Sequence, residues 1–548
     1  MTLKPNDLSQ IPDETARVAK AAFPKGNPYL KLRDELQIIY TDEEFAELFA
    51  RRGQPAESPG RLAIVTVLQF AEGLSDRQAA DAVRSRIDWK YLLGLELADP
   101  GFDYSILSEF RDRLINGQME QNLLDRLLER MKAQGLLRER GQQRTDSTSV
   151  EASIRQLNRL ERVGETLRYA LNSLAGESPD WLRARVPQEW YILYGNRFEE
   201  YRLPKKEKER EQLAIQIGKD GRQVLEWVYL SEAPVTLRKL SAVEILRRVW
   251  IQEYYQQDDD IQWRKPDNMP PSEKTIHSPY DPEARYGKKR ENGWVGYKAH
   301  FSETCDEDMP RIITNVETTP ATIPDYHMTP VVQASLENKG LLPEMHLLDT
   351  GYVDAHNLVV SQRDYQVQLV GHPMPDTSWQ AKEQKGFDIS HFRIDWQKQQ
   401  ATCPMGKQSQ KWYPDKDDYG HPMIHVRFDR RGCMVCQARE NCTRSISQGR
   451  TVRLRQEAEH EALQKLRQMA KTEEFITMYR NRAGIEGTLS RAVRKSGLRR
   501  ARYVGQRKTH LQHILTAIAI NLARLAEWFF EINPPYTRLS TFSSLANV

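Results

Sequence analysis

A mixed α/β fold is the class that the sequence predicts, with a sheet flanked by helices and a helical region ahead of it. Three observations carry this. Between residues 294 and 373, short apolar and β-branched runs alternate with stretches of helical spacing. Residues 28–140 and 455–530 keep helical periodicity almost throughout. The chain has 548 residues, too many for one ordinary core, so two to four domains are expected.

Within the N-terminal region, RLAIVTVLQFAEG (61–73) reads as a helix stopped by Gly73. Ser75 can cap the next helix, with Asp76 in its first turn, and a short helix then ends at Gly94. Asp103 can cap a further helix whose Leu107, Phe110 and Leu114 share a face. Short helices with tight turns and arginines Arg77, Arg84 and Arg86 suit a helix-turn-helix, and equally a plain helical bundle.

Residues 140–150 change to β-branched and hydroxyl types, as in a strand, with Asp146 inside it. Residues 152–255 return to helical spacing, an insertion, and the proline-rich segment 258–292 reads as a loop. Strands are expected at 294–304, 311–320, 345–349 and 367–373, with helices over 325–340 and 354–364 between them. Residues 376–450 form an irregular, cysteine-bearing insertion.

The composition is that of a globular protein, 39% apolar and 28% charged. The net charge is only +4, but the basic residues are unevenly spread. No apolar leader opens the chain, and 514–530, its most apolar segment, is interrupted by Asn521 and Arg524. A buried C-terminal helix and a cytoplasmic protein without a membrane span are therefore expected.

Three carboxylates stand out. Asp349 closes an apolar strand before Thr350-Gly351-Tyr352, where open α/β sheets bind ligands. Asp146 sits in a strand although aspartate is disfavoured there. Taken alone, each reads more readily as a turn or edge residue. Glu486 has local company, because Tyr479, Arg482 and Glu486 fall on one helix face. Gly484 and Gly487 beside it suggest a close approach to the backbone. Convergence of three such acids suits phosphodiester cleavage, in which two divalent ions about 4 Å apart serve an in-line displacement.

The order TDSTSV, LLDTGY and YRNRAGIE resembles the DDE transposases of bacterial insertion sequences, and the resemblance runs over nearly the whole chain. It implies a ribonuclease-H-like catalytic core in segments 141–151, 290–375 and 455–530. It also implies a helical DNA-binding domain over 1–140, a helical insertion and loop over 152–289, a cysteine-bearing insertion over 376–454 and a tail over 531–548. Asp146, Asp349 and Glu486 would hold two Mg²⁺, with Tyr479 and Arg482 accompanying the glutamate. Seven residues after the glutamate, where part of the superfamily has lysine, this chain has Val493, followed by Arg494 and Lys495. The implied activity is cutting and joining of double-stranded DNA, at element ends and at a target, by a homodimer or larger synaptic assembly at the bacterial nucleoid.

Cys403, Cys433, Cys436 and Cys442 match the ligand count of a closed structural zinc site, giving a zinc-ribbon-like insertion. Free thiols are the alternative, and His421 or His425 could replace one ligand. Cys305 stands apart as a core residue. Trp379, Trp396 and Trp412 in the same insertion read as a small hydrophobic cluster or a base-stacking surface. No acidic residue occurs from Gly487 to Ala526, and this span suggests a phosphate-binding surface through Arg494, Lys495, Arg499, Arg500 and Arg502. The loop with Arg285, Lys288 and Lys289 is a second such surface, and Arg77 and Arg84 a third. Two other functions fit the same features: a structure-specific nuclease of this fold, and a non-enzymatic zinc-containing DNA-binding protein.

Overall fold

The structure is a computed structural model that describes residues 1–258, 260–417 and 420–531. Its centre is a six-stranded mixed sheet built from β1 (Gln142–Glu151), β2 (Arg285–Lys289), β3 (Asn292–Thr304), β4 (Ile313–Pro320), β5 (Met345–Leu348) and β6 (Gln368–Val370). β3 is long enough to carry both β2 and β4 on one edge and β1 on the other, all antiparallel to it. β5 then pairs parallel to β1, and β6 parallel to β5.

Both faces of this sheet are covered, which is why β3 and β5 bury consecutive residues, polar ones among them, rather than every second one. One face shares a continuous core with the N-terminal helices and with the helix Gln506–Phe529. The two polar interruptions of that last helix are used. Asn521 donates to the carbonyl of Ile313 (2.9 Å) and accepts from its amide (2.7 Å), pinning the start of β4. Arg524 donates to the buried carboxylate of Glu303 on β3 at 2.8 Å. Polar groups threaded through the sheet are likewise paired: Thr145 of β1 meets Ser302 of β3 (2.6 Å) and His346 of β5 (2.7 Å).

Expected helices form around Pro59–Glu72, Asp76–Ser85, Ser105–Asn116 and Asn122–Ala133. Ser75 caps its helix in a reciprocal box with Gln78, and Gly73 takes the left-handed conformation that ends the helix before it. Asp103 lies one residue further out than a cap and accepts from the Ser105 amide at 2.9 Å. A helix at Asp13–Ala22 lies within the helical domain expected over 1–140, ahead of the periodicity that begins at residue 28.

The segment 258–292 is not wholly a loop. β2 forms a hairpin with the start of β3, closed by Arg290 and Glu291, with Arg290 at φ 57°. RYGKK lacks an alternating apolar face, so it gives no strand signal of its own; its pairing with NGWVG supplies the register. The insertion 152–255 is helical as expected and has its own core around Leu167, Ile217, Val224 and Leu246. The cysteine-bearing insertion is more regular than expected, since Ser409–Lys416, Pro422–Phe428 and Thr451–Leu454 form a three-stranded sheet over a small core. Among the described residues no helix is long and apolar enough to cross a membrane. The tail 531–548 lies outside the described residues except for Glu531.

Candidate active site

The register of the sheet brings the two aspartates together. Thr145 of β1 pairs with Leu348 of β5, and one residue further along the two parallel strands stand Asp146 and Asp349. β5 ends there because the chain turns into Thr350–Tyr352, with the Tyr352 amide bonded to the Asp349 carbonyl at 2.9 Å. Buried Tyr352 anchors the turn by its phenol, 2.6 Å from Nδ1 of His300 on β3.

Glu486 comes from the opposite direction, on the helix Ala483–Ser496 that packs on β1. Arg482 joins the two sides. Its Nη1 lies 3.2 Å from Oδ2 of Asp146, and its Nη2 is ion-paired with Oε1 of Glu486. Arg482 also lies over the Tyr479 ring, 5.6 Å from its centroid. The single helix expected for Tyr479, Arg482 and Glu486 is in fact two, Glu473–Arg480 and Ala483–Ser496, with Asn481 and Arg482 between them. Both residues stay in right-handed helical geometry, so the shared face survives the break.

The interruption coincides with a contact from β1. Arg144 donates Nε to Glu303 at 2.7 Å and Nη1 to the Asn481 carbonyl. A Cβ on Gly484 would overlap this guanidinium, so the helix can approach β1 only because residue 484 is glycine. Gly487, by contrast, faces open space. Glu303 is fully buried, which raises a carboxyl's proton affinity, yet Arg524 and Arg144 hold it below the usual carboxylate range. Thr488, on the Glu486 helix, donates to its second oxygen at 2.7 Å.

Burial pushes the Asp146 carboxyl up, and the negative charge of Asp349 adds to this against the Ser147 amide, Arg482 and Lys289. Burial also pushes up the Tyr479 phenol. Burial works against the charge of Arg482, but Tyr479, Asp146, Asp349 and Glu486 outweigh it and raise its pKa. A fourth acid, Asp325, stands nearby: it pairs with Lys298 at 2.9 Å and approaches the Ser147 hydroxyl at 3.5 Å. It opens a short helical turn and carries no sequence signal that separates it from a helix-start acid. Asp146 and Asp349 are mostly buried, whereas the Glu486 side chain is 59% exposed and turned to Arg482.

The four cysteines converge as well. Cys403, Cys433, Cys436 and Cys442 line one cavity of about 230 Å³, on a turn and two short helices. Burial raises the Cys442 thiol, and Cys433, Cys403 and Cys436 add to the rise. His421 and His425 instead pair with Asp417 and Asp415. Trp396 and Trp412 meet edge to face at 5.4 Å, as a small cluster, while Trp379 carries Arg444 over its ring. Cys305 is a core thiol, pushed up to about 12 by burial. Among the described residues, no group of three or more His, Cys, Asp or Glu stands ready-formed around a metal position, either here or at the acids.

The basic residues divide. Arg499 and Arg500 sit at the end of β1, where Glu151 bonds to the backbone of residues 499 and 501, and Arg499 reaches Thr148 at 3.4 Å. Arg494 and Lys495 are exposed on the last turn of the Glu486 helix. Val493 is half-buried and packs against the core. Arg502 is exposed but packs over Phe70, 4.6 Å from the ring centroid. Arg507 and Lys508 pair with Glu120 and Asp112, outside the acid-free span. Arg285 is turned inward to backbone carbonyls of Glu273, Pro282 and Ala284, while Lys288 and Lys289 are exposed. Arg77 lies over Tyr104, and Arg84 is held by Asp81 and the carbonyls of Pro100 and Phe102.

Two family models match the chain. One, described as a transposase DDE domain, covers residues 402–526 and so includes the cysteine cluster and Glu486. The other, described as a transposase domain (DUF772), covers residues 17–113 of the N-terminal helices. Asp146 and Asp349 lie outside both spans. No curated protein matches the sequence.

Proposed function

We propose that the chain is a DDE transposase of insertion-sequence type, as its matches to two transposase family models support, and that it binds the ends of a mobile element and uses Asp146, Asp349 and Glu486 to cleave and rejoin DNA strands. The observation that carries this reading is that Asp146 and Asp349 each stand one residue past the last pair, Thr145 with Leu348, of two parallel strands, with Arg482 linking Asp146 to Glu486. The sheet, with chain order β4-β3-β1-β5-β6 and only β1, β5 and β6 parallel, supports a ribonuclease-H-like core.

The donors suit Mg²⁺. They are hard carboxylate oxygens, few in number, and Asp146 and Asp349 oppose each other's charge until a cation joins them. Two such ions would activate the attacking oxygen and stabilise the leaving one. Asp146 is fixed in the middle of β1 and Asp349 just past the end of β5, and Glu486 is carried toward them by a helix clamped through Arg144. Arg482 offsets the carboxylates and presents a guanidinium to phosphate. Tyr479, stacked with Phe475 and 4.5 Å from the His372 ring, braces Arg482 from behind.

Arg499, Arg500, Arg494 and Lys495 position duplex DNA by its phosphates, and the exposed Lys288 and Lys289 hold phosphates of the strand that enters the site. Arg77 on the exposed helix Asp76–Ser85 adds a contact from the N-terminal region. The four thiols form a donor set suited to Zn²⁺, which would bind with the sulfurs drawn together and hold the insertion's turn and short helices in place. Cleavage of two element ends calls for at least two copies of the chain.

The experiment is incubation of the purified chain with linear DNA carrying the sequences that flank its own gene. Mg²⁺-dependent nicking at the element boundary, followed by joining to a second DNA, supports the proposal. Binding without cleavage, unaffected by chelator, overturns it.

A further inference from the structure

Behind β1 lies a cleft of about 860 Å³, within the range of ligand-binding clefts and lined by Ser147, Ser149, Tyr286, Lys288, Lys289 and Trp294. Ser147 follows Asp146 directly, and the charge of Lys289 is felt at the Asp146 carboxyl, so the cleft adjoins the acids. Its chemistry is not used by the cleavage step. We propose that this cleft holds an unpaired nucleotide of the DNA strand being cut, with Tyr286 stacked on the base and Lys288 and Lys289 on the neighbouring phosphates. The inference rests on the nuclease reading above and names the form of DNA that the site takes.

The hairpin is shaped for this. Tyr286 is 41% exposed although it is a large aromatic on a strand. Its ring is held from one side by His277, centroids 6.0 Å apart, and its phenol lies where a Cβ on Gly293 would overlap it. The ring is thus fixed in place while a large part of the residue stays in solvent, as a stacking platform requires. Trp294 forms the floor: it is 7% exposed, donates its indole N–H to the Tyr297 carbonyl at 3.0 Å, and packs where a side chain on Gly287 would collide with it. Each of the two glycines therefore makes room for one aromatic ring.

The charge pattern fits an anion with a flat apolar part. Lys298 and Asp325 pair with each other at the inner end and cancel. Among the described residues no carboxylate pairs with Lys288 or Lys289, while Glu273 is the remaining acid on the lining. The hydroxyls of Ser147 and Ser149 are donors to phosphate or base edges. Bases in intact duplex are stacked and cannot reach a platform of this kind; an unpaired base at a cut or opened end can.

The test uses the full chain in EDTA, so that no cleavage occurs, with a short fluorescent oligothymidylate and a duplex of equal length as probes. Tyr286→Ala should weaken single-strand binding roughly five- to hundredfold, the range for loss of one stacked base, and change duplex binding by less than about twofold. Tyr286→Phe should keep the single-strand affinity. Replacing Lys288 and Lys289 with Gln should flatten the single-strand salt dependence by about 0.7 per lost phosphate contact. Unchanged single-strand affinity in Tyr286→Ala, an equal loss on duplex, or Phe as damaging as Ala overturns the proposal. If Tyr286→Ala melts early, the exposed lysine pair decides, and an unchanged salt slope overturns it. Because the readout is binding alone, failure here is separate from failure of the cleavage reading, which depends on the acids.

Discussion

The guanidinium of Arg144 occupies the space where a side chain on Gly484 would begin. Arg144 is two residues before Asp146 on β1, and Gly484 is two residues before Glu486 on its helix. This one contact therefore sets how closely the third acid approaches the first two. Gly484→Ala should force the helix away from β1, at about 1–3 kcal/mol of overpacking, and should cost far more in cleavage than in stability. Strand-cleavage rate and duplex affinity measured on the same preparation check this, with affinity expected to stay near that of the parent.

Asp146 carries a cost in the metal-free protein. Its folded pKa is raised by burial and by Asp349, so its ionised form is favoured more in the unfolded chain than in the folded one. The stability associated with its protonated form is present at low pH and lost as pH rises through the raised value. Asp146→Asn should therefore raise the thermal midpoint at neutral pH in chelator, and the gain should shrink toward acid. Equal midpoints at every pH would mean that the carboxyl is solvated in solution.

Five histidines point the other way. Burial holds His300, His277 and His510 at about 4 and His346 and His513 at about 3. The unfolded chain takes up these protons near pH 6.5, and the folded chain only far below it. Stability should fall as pH drops below about 6.5, by up to roughly 1.4 kcal/mol per pH unit for each such histidine. Urea midpoints at neutral pH and in mild acid measure it; a flat profile would show these rings to be charged or exposed.

The cysteine cavity gives a stoichiometric prediction. The purified chain should carry one Zn²⁺, and chelation or Cys433→Ser should loosen residues 376–454 while leaving the central sheet folded. Metal analysis combined with hydrogen exchange resolves the two parts.

The strands that carry Asp146 and Asp349, and the helix that starts after Arg482, were legible because each has its own local pattern: β-branched and hydroxyl residues in 142–151, the largely apolar run Met345–Leu348 before Asp349, a stripe at Tyr479, Arg482 and Glu486. That they would act together was offered only by the family resemblance, because the meeting of Asp146 and Asp349 depends on the register Thr145 with Leu348, which no local spacing encodes. Gly484 signalled a close approach but not its partner, since Arg144 reads as one more basic residue on a strand. β2 stayed hidden because RYGKK owes its structure to pairing, and Asp325 because an acid opening a helical turn is ordinary. The acid-free span looked like one basic surface. The structure divides it, burying most of Gln506–Phe529 and turning Arg507 and Lys508 toward acids from elsewhere in the chain.

The central claim is that Asp146, Asp349 and Glu486 act as one site, and the most direct measurement is Mg²⁺-dependent cleavage by the three single alanine variants on DNA bearing the element's ends. Each variant should lose strand cleavage while keeping duplex affinity within a few-fold, because binding rests on phosphate contacts made by other residues. The Asp146 and Asp349 variants should be equally inactive, as expected of acids that hold one pair of ions. Cleavage that survives the loss of either aspartate would contradict the account.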